Sequence, residues 1–166
     1  MNTDRSLRFW QIPVVLLLLF VLTPLLLIVL VWWLLTSLAL YLLVWLFWCT
    51  RGKDILFVYS DSPIWHDYIE QHIIPQIQTR SIILNWSLRR HWLRRLSLPS
   101  LVFRHFGGSR EYNPMAVYFP PLRLHRSFRF WNAFRDWKHG NAASLQRVEE
   151  DFFRCIGQTR LPMEIE

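Results

Sequence analysis

Residues 55–65 read ILFVYSDSPIW. Five residues that favour an extended chain are followed by Ser-Asp-Ser-Pro, and an apolar pattern of different spacing then begins. A compact β-branched and aromatic run bounded by polar residues has the character of a buried strand. Ser62-Pro63 has the character of a helix start, because Ser accepts from free N–H groups and Pro in the first turn sacrifices no hydrogen bond. Trp65, Ile69 and Ile73 recur at i, i+4 and i+8, with Tyr68 and His72 beside them, which predicts one buried helix face. Pro75 is expected to end or kink that helix. RSIILNWS, residues 80–87, reads as a second strand. A strand, a helix and a strand form a βαβ unit, whose strands should be parallel and whose crossover should be right-handed.

Downstream, SLVFRHF (100–106) and PMAVYFP (114–120) read as two more strands. SFRFWNAFRDWKHG (127–140) reads as a helix ended by Gly140. AASLQRVEEDFFRCIG (142–157) reads as a final helix, with Asn141 as its N-cap and Gly157 as its C-cap. The alternation predicts a small α/β domain, a three-layer Rossmann-like sandwich with a mainly parallel sheet of about four strands.

Upstream, residues 9–50 contain no Asp, Glu, Lys, Arg or His across 42 positions. A bilayer crossing needs about 20 apolar residues, so the run is expected to be membrane-embedded. A cleaved signal peptide would carry an apolar stretch of about 7–15 residues and a small-residue cleavage site. This run is far longer and ends in VWLFWCT. As one helix, residues 12–49 would extend roughly 57 Å, against a hydrocarbon core about 30 Å thick. Two short helices, 12–29 and 34–50, fit that thickness, with the joint near Val31-Trp32-Trp33. Trp10 and Trp48 would then share one interface and Trp32-Trp33 the other. Arg5 and Arg8 before the run, and Arg51 and Lys53 after it, place both ends in the cytoplasm by the positive-inside tendency. Against the hairpin, the joint holds no Gly, Asn or Pro; one long kinked span with an interfacial part, or a re-entrant wedge, is the alternative.

The expected organisation is a basic flank (1–11), a membrane-embedded segment (12–50), a cytosolic α/β domain (51–157) and a flexible tail (158–166). The expected location is a bacterial cytoplasmic membrane. From residue 51 onward there are 17 basic and 11 acidic side chains, a net charge of +6. A tethered basic domain points to the lipid bilayer and its anionic headgroups as partners, with a protein partner as a further option. Nucleic acid is disfavoured, because the tether already supplies an anionic surface. Cys49 and Cys155 are far apart and lack a CxxC spacing, which fits neither a metal site nor a disulfide framework.

In open parallel sheets, ligands bind at the carboxyl ends of the strands. That rule selects Ser60, Asp61 and Ser62 after the first strand, Asn85 and Ser87 after the second, and Arg104 and His105 late in the third. FGGSRE (106–111) holds the chain's Gly-Gly pair; Gly107, Gly108, Ser109 and Arg110 could form an anion-binding nest. The Ser-Asp-Ser-Pro corner carries no glycine and matches neither GxGxxG nor GxxxxGK, so no cofactor is expected. No GxSxG elbow occurs, and His66 and Asp67 are adjacent on a helix and point apart. His66 and Glu70 share a face, but two ligands without a third make no metal site. RRHWLRR (89–95) is the densest basic patch. Arg89, Arg90, Arg94 and Arg95 could rest on headgroups with Trp92 at their level; a solvated face is the plainer alternative. These features favour a membrane-surface interaction or ligand-binding module. A small membrane-bound enzyme or signalling domain working at the strand ends is the alternative.

Overall fold

The computed structural model describes residues 3–108, 113–121 and 123–157. The tail, 158–166, lies outside the described residues. A single helix, α1, runs from Thr3 to Phe47. The remaining elements are a 3-10 turn (Cys49–Arg51), β1 (Ile55–Tyr59), α2 (His66–Tyr68), a π-helical turn (Ile69–Ile73), α3 (Ile74–Ile77), β2 (Ser81–Asn85), a second 3-10 turn (Trp86–Leu88), α4 (Arg89–Leu93), α5 (Leu98–Phe106), β3 (Met115–Tyr118), β4 (Arg126–Arg129), α6 (Trp131–Lys138) and α7 (Ala142–Cys155). The chain divides into two compact units, 1–41 and 42–166.

In place of the expected hairpin, α1 passes through Val31-Trp32-Trp33 without a break. The reason is the missing turn chemistry: an apolar segment without Gly, Asn or Pro satisfies its backbone groups best by continuing the helix. The hydroxyls of Thr36 and Ser37 fold back onto the carbonyls of Trp32 and Trp33, both at 2.8 Å. Pro24 is carried within the helix.

The second unit is built on a four-stranded sheet in the order β2-β1-β3-β4. β1 and β2 are parallel, Ile55 opposite Ser81 and Tyr59 opposite Asn85, as the βαβ reading predicts. β3 runs antiparallel to β1, and β4 antiparallel to β3. The sheet is therefore mixed rather than mainly parallel. β1 is central and buried along its whole length. Alternation sends Ile55, Phe57 and Tyr59 into one core with Ile69, Ile73 and Ile77 and with Phe130, Phe134, Phe152 and Phe153 from the C-terminal segments. Leu56 and Val58 point to the other face and are also inaccessible to solvent. The second unit reaches back into the end of α1, where Val44 is buried, and Trp48, just past that end, is buried too. Trp48 meets Phe119 edge-on, ring centres 6.2 Å apart.

Two elements differ from the expected ones. Residues 100–106 belong to a helix, α5, instead of a strand. Pro99 sits in its first turn, Ser97 has extended N-cap dihedrals, and the Ser100 hydroxyl donates to the Ser97 carbonyl at 2.9 Å. Val102, Phe103 and Phe106 make its buried face. Residues 127–140 divide into the end of β4 and α6. Phe128 and Phe130 are spaced by two, the period of a strand, and helical spacing starts only at Trp131. The final helix stands as expected, with Asn141 in the N-cap position and Gly157 just past its end at φ +71°. The Asn141 side chain makes no capping bond. Pro75 neither ends nor breaks the α2–α3 segment; the π-helical turn immediately before it widens the helix.

Candidate functional site

The carboxyl ends of β1 and β2 lie side by side, because the two strands are parallel and in register through Tyr59 and Asn85. Three of the expected polar residues meet there. Asn85 donates through Nδ2 to Asp61 Oδ1 at 2.5 Å and accepts through Oδ1 from the Ser87 amide at 2.8 Å. The Asp61 amide in turn donates to Ser87 Oγ at 3.0 Å. This closed loop of bonds clasps the corner after β1 to the corner after β2. Ser62-Pro63 opens a turn ahead of the helix instead of the helix itself: the Ser62 carbonyl accepts from the His66 amide at 2.9 Å and its hydroxyl accepts from the Ile64 amide at 3.4 Å, while α2 starts at His66 with Trp65 in the N-cap position. The Ser60 carbonyl accepts from the indole of Trp65 at 3.2 Å.

Three further side chains join this edge that the sequence reading did not select for a site here. His66 Nδ1 lies 3.7 Å from Asp61 Oδ1, beyond hydrogen-bond reach, and its ring stacks on Tyr59 with centroids 6.0 Å apart. The Tyr59 hydroxyl donates to the Glu70 carboxylate. Burial first, and the bond to Glu70 second, push the Tyr59 phenol well above its ordinary pKa. Tyr59 thus stays protonated and acts as a donor through the physiological range. The available signal was the helical spacing of His66 and Glu70, which places both on one face; Tyr59 lies against that face, stacked on His66 and bonded to Glu70.

The remaining candidates are dispersed. Arg104 and His105 lie on α5, so the strand-end rule does not select them. His105 stands over Phe106, ring centres 4.7 Å apart, and burial lowers its pKa. Gly107 closes α5 through its amide to the Phe103 carbonyl at 2.8 Å, and a Cβ there would meet that carbonyl at 2.5 Å. Gly108 adopts φ +75°. Ser109 and Arg110, the rest of the expected nest, lie outside the described residues.

In the basic segment, Arg89, Arg90, Arg94 and Arg95 are all exposed. Arg89 covers the Trp86 ring at 5.3 Å. Trp92 is turned toward the domain: its indole donates to the Asn85 carbonyl at 2.8 Å and its ring meets Phe103 edge-on at 5.6 Å. Among the described residues, no three His, Cys, Asp or Glu side chains gather as a metal site.

The opposite end of the parallel pair carries a second clasp. Arg80 pairs with Asp54, with Nε 3.2 Å from Oδ1, and also donates to the Ile156 carbonyl at 2.7 Å. The hydrogen bond to Asp54 raises the Arg80 pKa further. Compared with known proteins, the chain matches no family model, no curated protein and no solved structure.

Proposed function

We propose that the chain is a membrane-anchored interaction module. α1 crosses the bilayer once and holds the α/β domain at the cytoplasmic face, where the arginines of residues 89–95 meet anionic headgroups. The observation that carries this reading is the state of α1: it is long and apolar enough to cross a membrane, and its most apolar stretch has no buried residue. Leu25, Leu26, Leu27 and Ile28 are 55%, 65%, 55% and 66% exposed, and four consecutive positions, about 100° apart, look out on every side of the helix. A core helix would bury one face, and a bilayer would cover all of them. Trp10 and the Trp32-Trp33 pair stand about 33 Å apart along the helix axis, close to one hydrocarbon thickness. Aromatic residues collect at such boundaries.

The clasp at the strand ends supports a binding module over an enzyme, because Asp61, Asn85 and Ser87 spend their hydrogen bonds on one another. The enzyme reading draws on one observation, the approach of His66 to the Asp61 carboxylate. Asp61→Asn with His66→Ala separates the two: an unchanged cellular phenotype with a stable fold counts against the enzyme.

The experiment for the anchored module uses a fragment that starts at Leu42, which keeps the buried Val44 and Trp48. It should bind anionic vesicles more tightly than zwitterionic ones, with the difference shrinking as salt rises. Each arginine near the surface contributes about 1 kcal/mol, so replacing Arg89, Arg90, Arg94 and Arg95 by Gln should remove roughly 4 kcal/mol of that preference. Equal binding to both vesicle types at low salt would leave the patch as a solvated face.

A further inference from the structure

We propose that the outer edge of β4 is a docking site for an acidic, extended peptide segment, which adds to the sheet as a fifth strand. β4 is the last strand of the sheet, and its only ladder partner among the described residues is β3. The amide of Phe130 donates to the Pro114 carbonyl at 2.9 Å, which identifies Phe130–Pro114 as a hydrogen-bonded antiparallel pair. Bonded and non-bonded pairs alternate along an antiparallel ladder. Ala116–Phe128 and Tyr118–Arg126 are then the bonded pairs, and Val117–Ser127 is non-bonded. The N–H and C=O of Ser127 therefore face away from β3, in an exposed strand residue. An unpaired edge of this kind is a template for another strand.

What fits there is set by charge. Two adjoining grooves, of about 800 and 550 Å³, run along this edge and share Arg126 and Cys155. Arg123, Arg126 and Arg154 line them, and the one carboxylate in their walls, Asp151, already lies 3.7 Å from Arg154. Phe128 packs on Phe152, ring centres 5.2 Å apart, which turns that side of β4 onto α7 and brings Arg126 to Cys155. A strand laid along β4 would present alternate side chains to these arginines. A second copy of this chain is the wrong occupant: antiparallel pairing of two β4 edges about Ser127 would set the two Arg126 side chains diagonally across from each other and Arg129 opposite His125, gathering positive charge with nothing to balance it. Acidic side chains at alternate positions satisfy both the ladder and the charge.

The surface is separate from the lipid-facing arginines of residues 89–95, so its test uses the full chain in a non-ionic detergent without anionic lipid. Fluorescence anisotropy compares three short peptides: alternating Glu and Thr, alternating Lys and Thr, and the Glu/Thr peptide N-methylated at alternate backbone nitrogens. The Glu/Thr peptide should bind, and the other two should bind at least roughly tenfold more weakly, about 1.4 kcal/mol. Ser127→Pro removes an outward N–H at an edge position where Pro is tolerated, and should weaken Glu/Thr binding by a similar factor. Arg126→Glu with Arg154→Glu should reverse the preference toward the Lys/Thr peptide. Equal binding of methylated and unmethylated peptides would overturn the added strand, even where Ser127→Pro unfolds the domain. Equal binding of the Glu and Lys peptides, or no binding at low salt, would overturn the proposal as a whole.

Discussion

β1 and the stretch of α1 from residue 9 onward are both uncharged apolar runs, yet they meet opposite surroundings. β1 is short and enclosed on both faces by its own domain, with Ile55 through Val58 fully buried. α1 is long, and from Leu17 to Leu35 it is exposed all round. The hydrophobic effect acts on both, since each must be removed from water. For β1 the rest of the chain does this. For α1 the described residues supply no cover over that stretch, and the bilayer is the medium that would. The lesson is that apolar composition states a need for cover, and only the fold reveals whether the chain meets it.

The largest expected effect separates the two runs by core deletion. Phe57→Ala, which removes a ring packed against Tyr59 and Phe130, should cost about 3–5 kcal/mol of domain stability. Phe20→Ala in α1 should leave thermal unfolding of the domain unchanged, as followed by near-ultraviolet circular dichroism. The converse experiment places a charge in the exposed run. Leu27→Arg should oppose membrane insertion by about 2.5–3.5 kcal/mol, seen as a larger soluble fraction, with the domain melt intact.

The two clasps on the parallel pair sharpen the comparison within the domain. Arg80→Ala leaves the largely buried Asp54 without its partner and should cost about 1–3 kcal/mol in urea unfolding. Asp61→Ala acts at a more exposed position and should cost less than about 1 kcal/mol. The smallest effect concerns pH. Burial first, and the neighbouring His105 second, lower the pKa of His125 below its ordinary value. The unfolded chain then takes up protons more readily than the folded one near pH 6.5. Stability should therefore be complete above that pH and decline as pH falls toward the lowered folded value. His125→Asn should flatten this decline in melts recorded from pH 7 to pH 5.

The βαβ unit was legible because β1, the Trp65–Ile69–Ile73 face and β2 each carry their own pattern. The corner after β1 was legible for the same reason: parallel pairing alone brings Asp61, Asn85 and Ser87 together. The residues 100–106 were misread as a strand because an apolar run of that length fits either period, and Pro99 in the first helical turn was the overlooked arbiter. The mixed sheet was hidden because nothing local in PMAVYFP fixes strand direction; that direction comes from the pairing of Val117 with Leu56. Tyr59, Glu70 and His66 meet only through tertiary packing. The uninterrupted α1 was foreshadowed by the absence of turn residues at Val31-Trp32-Trp33, a local signal outweighed by matching the run to bilayer thickness.

That last difference gives the most direct test. Topology reporters are fused ahead of Met1 and, in a second protein, after Glu166, and each is read for its side of the membrane. A single crossing by α1 predicts opposite sides, with the α/β domain in the cytoplasm. Both reporters on one side would contradict a single crossing and return the segment to a hairpin or a helix lying in the interface.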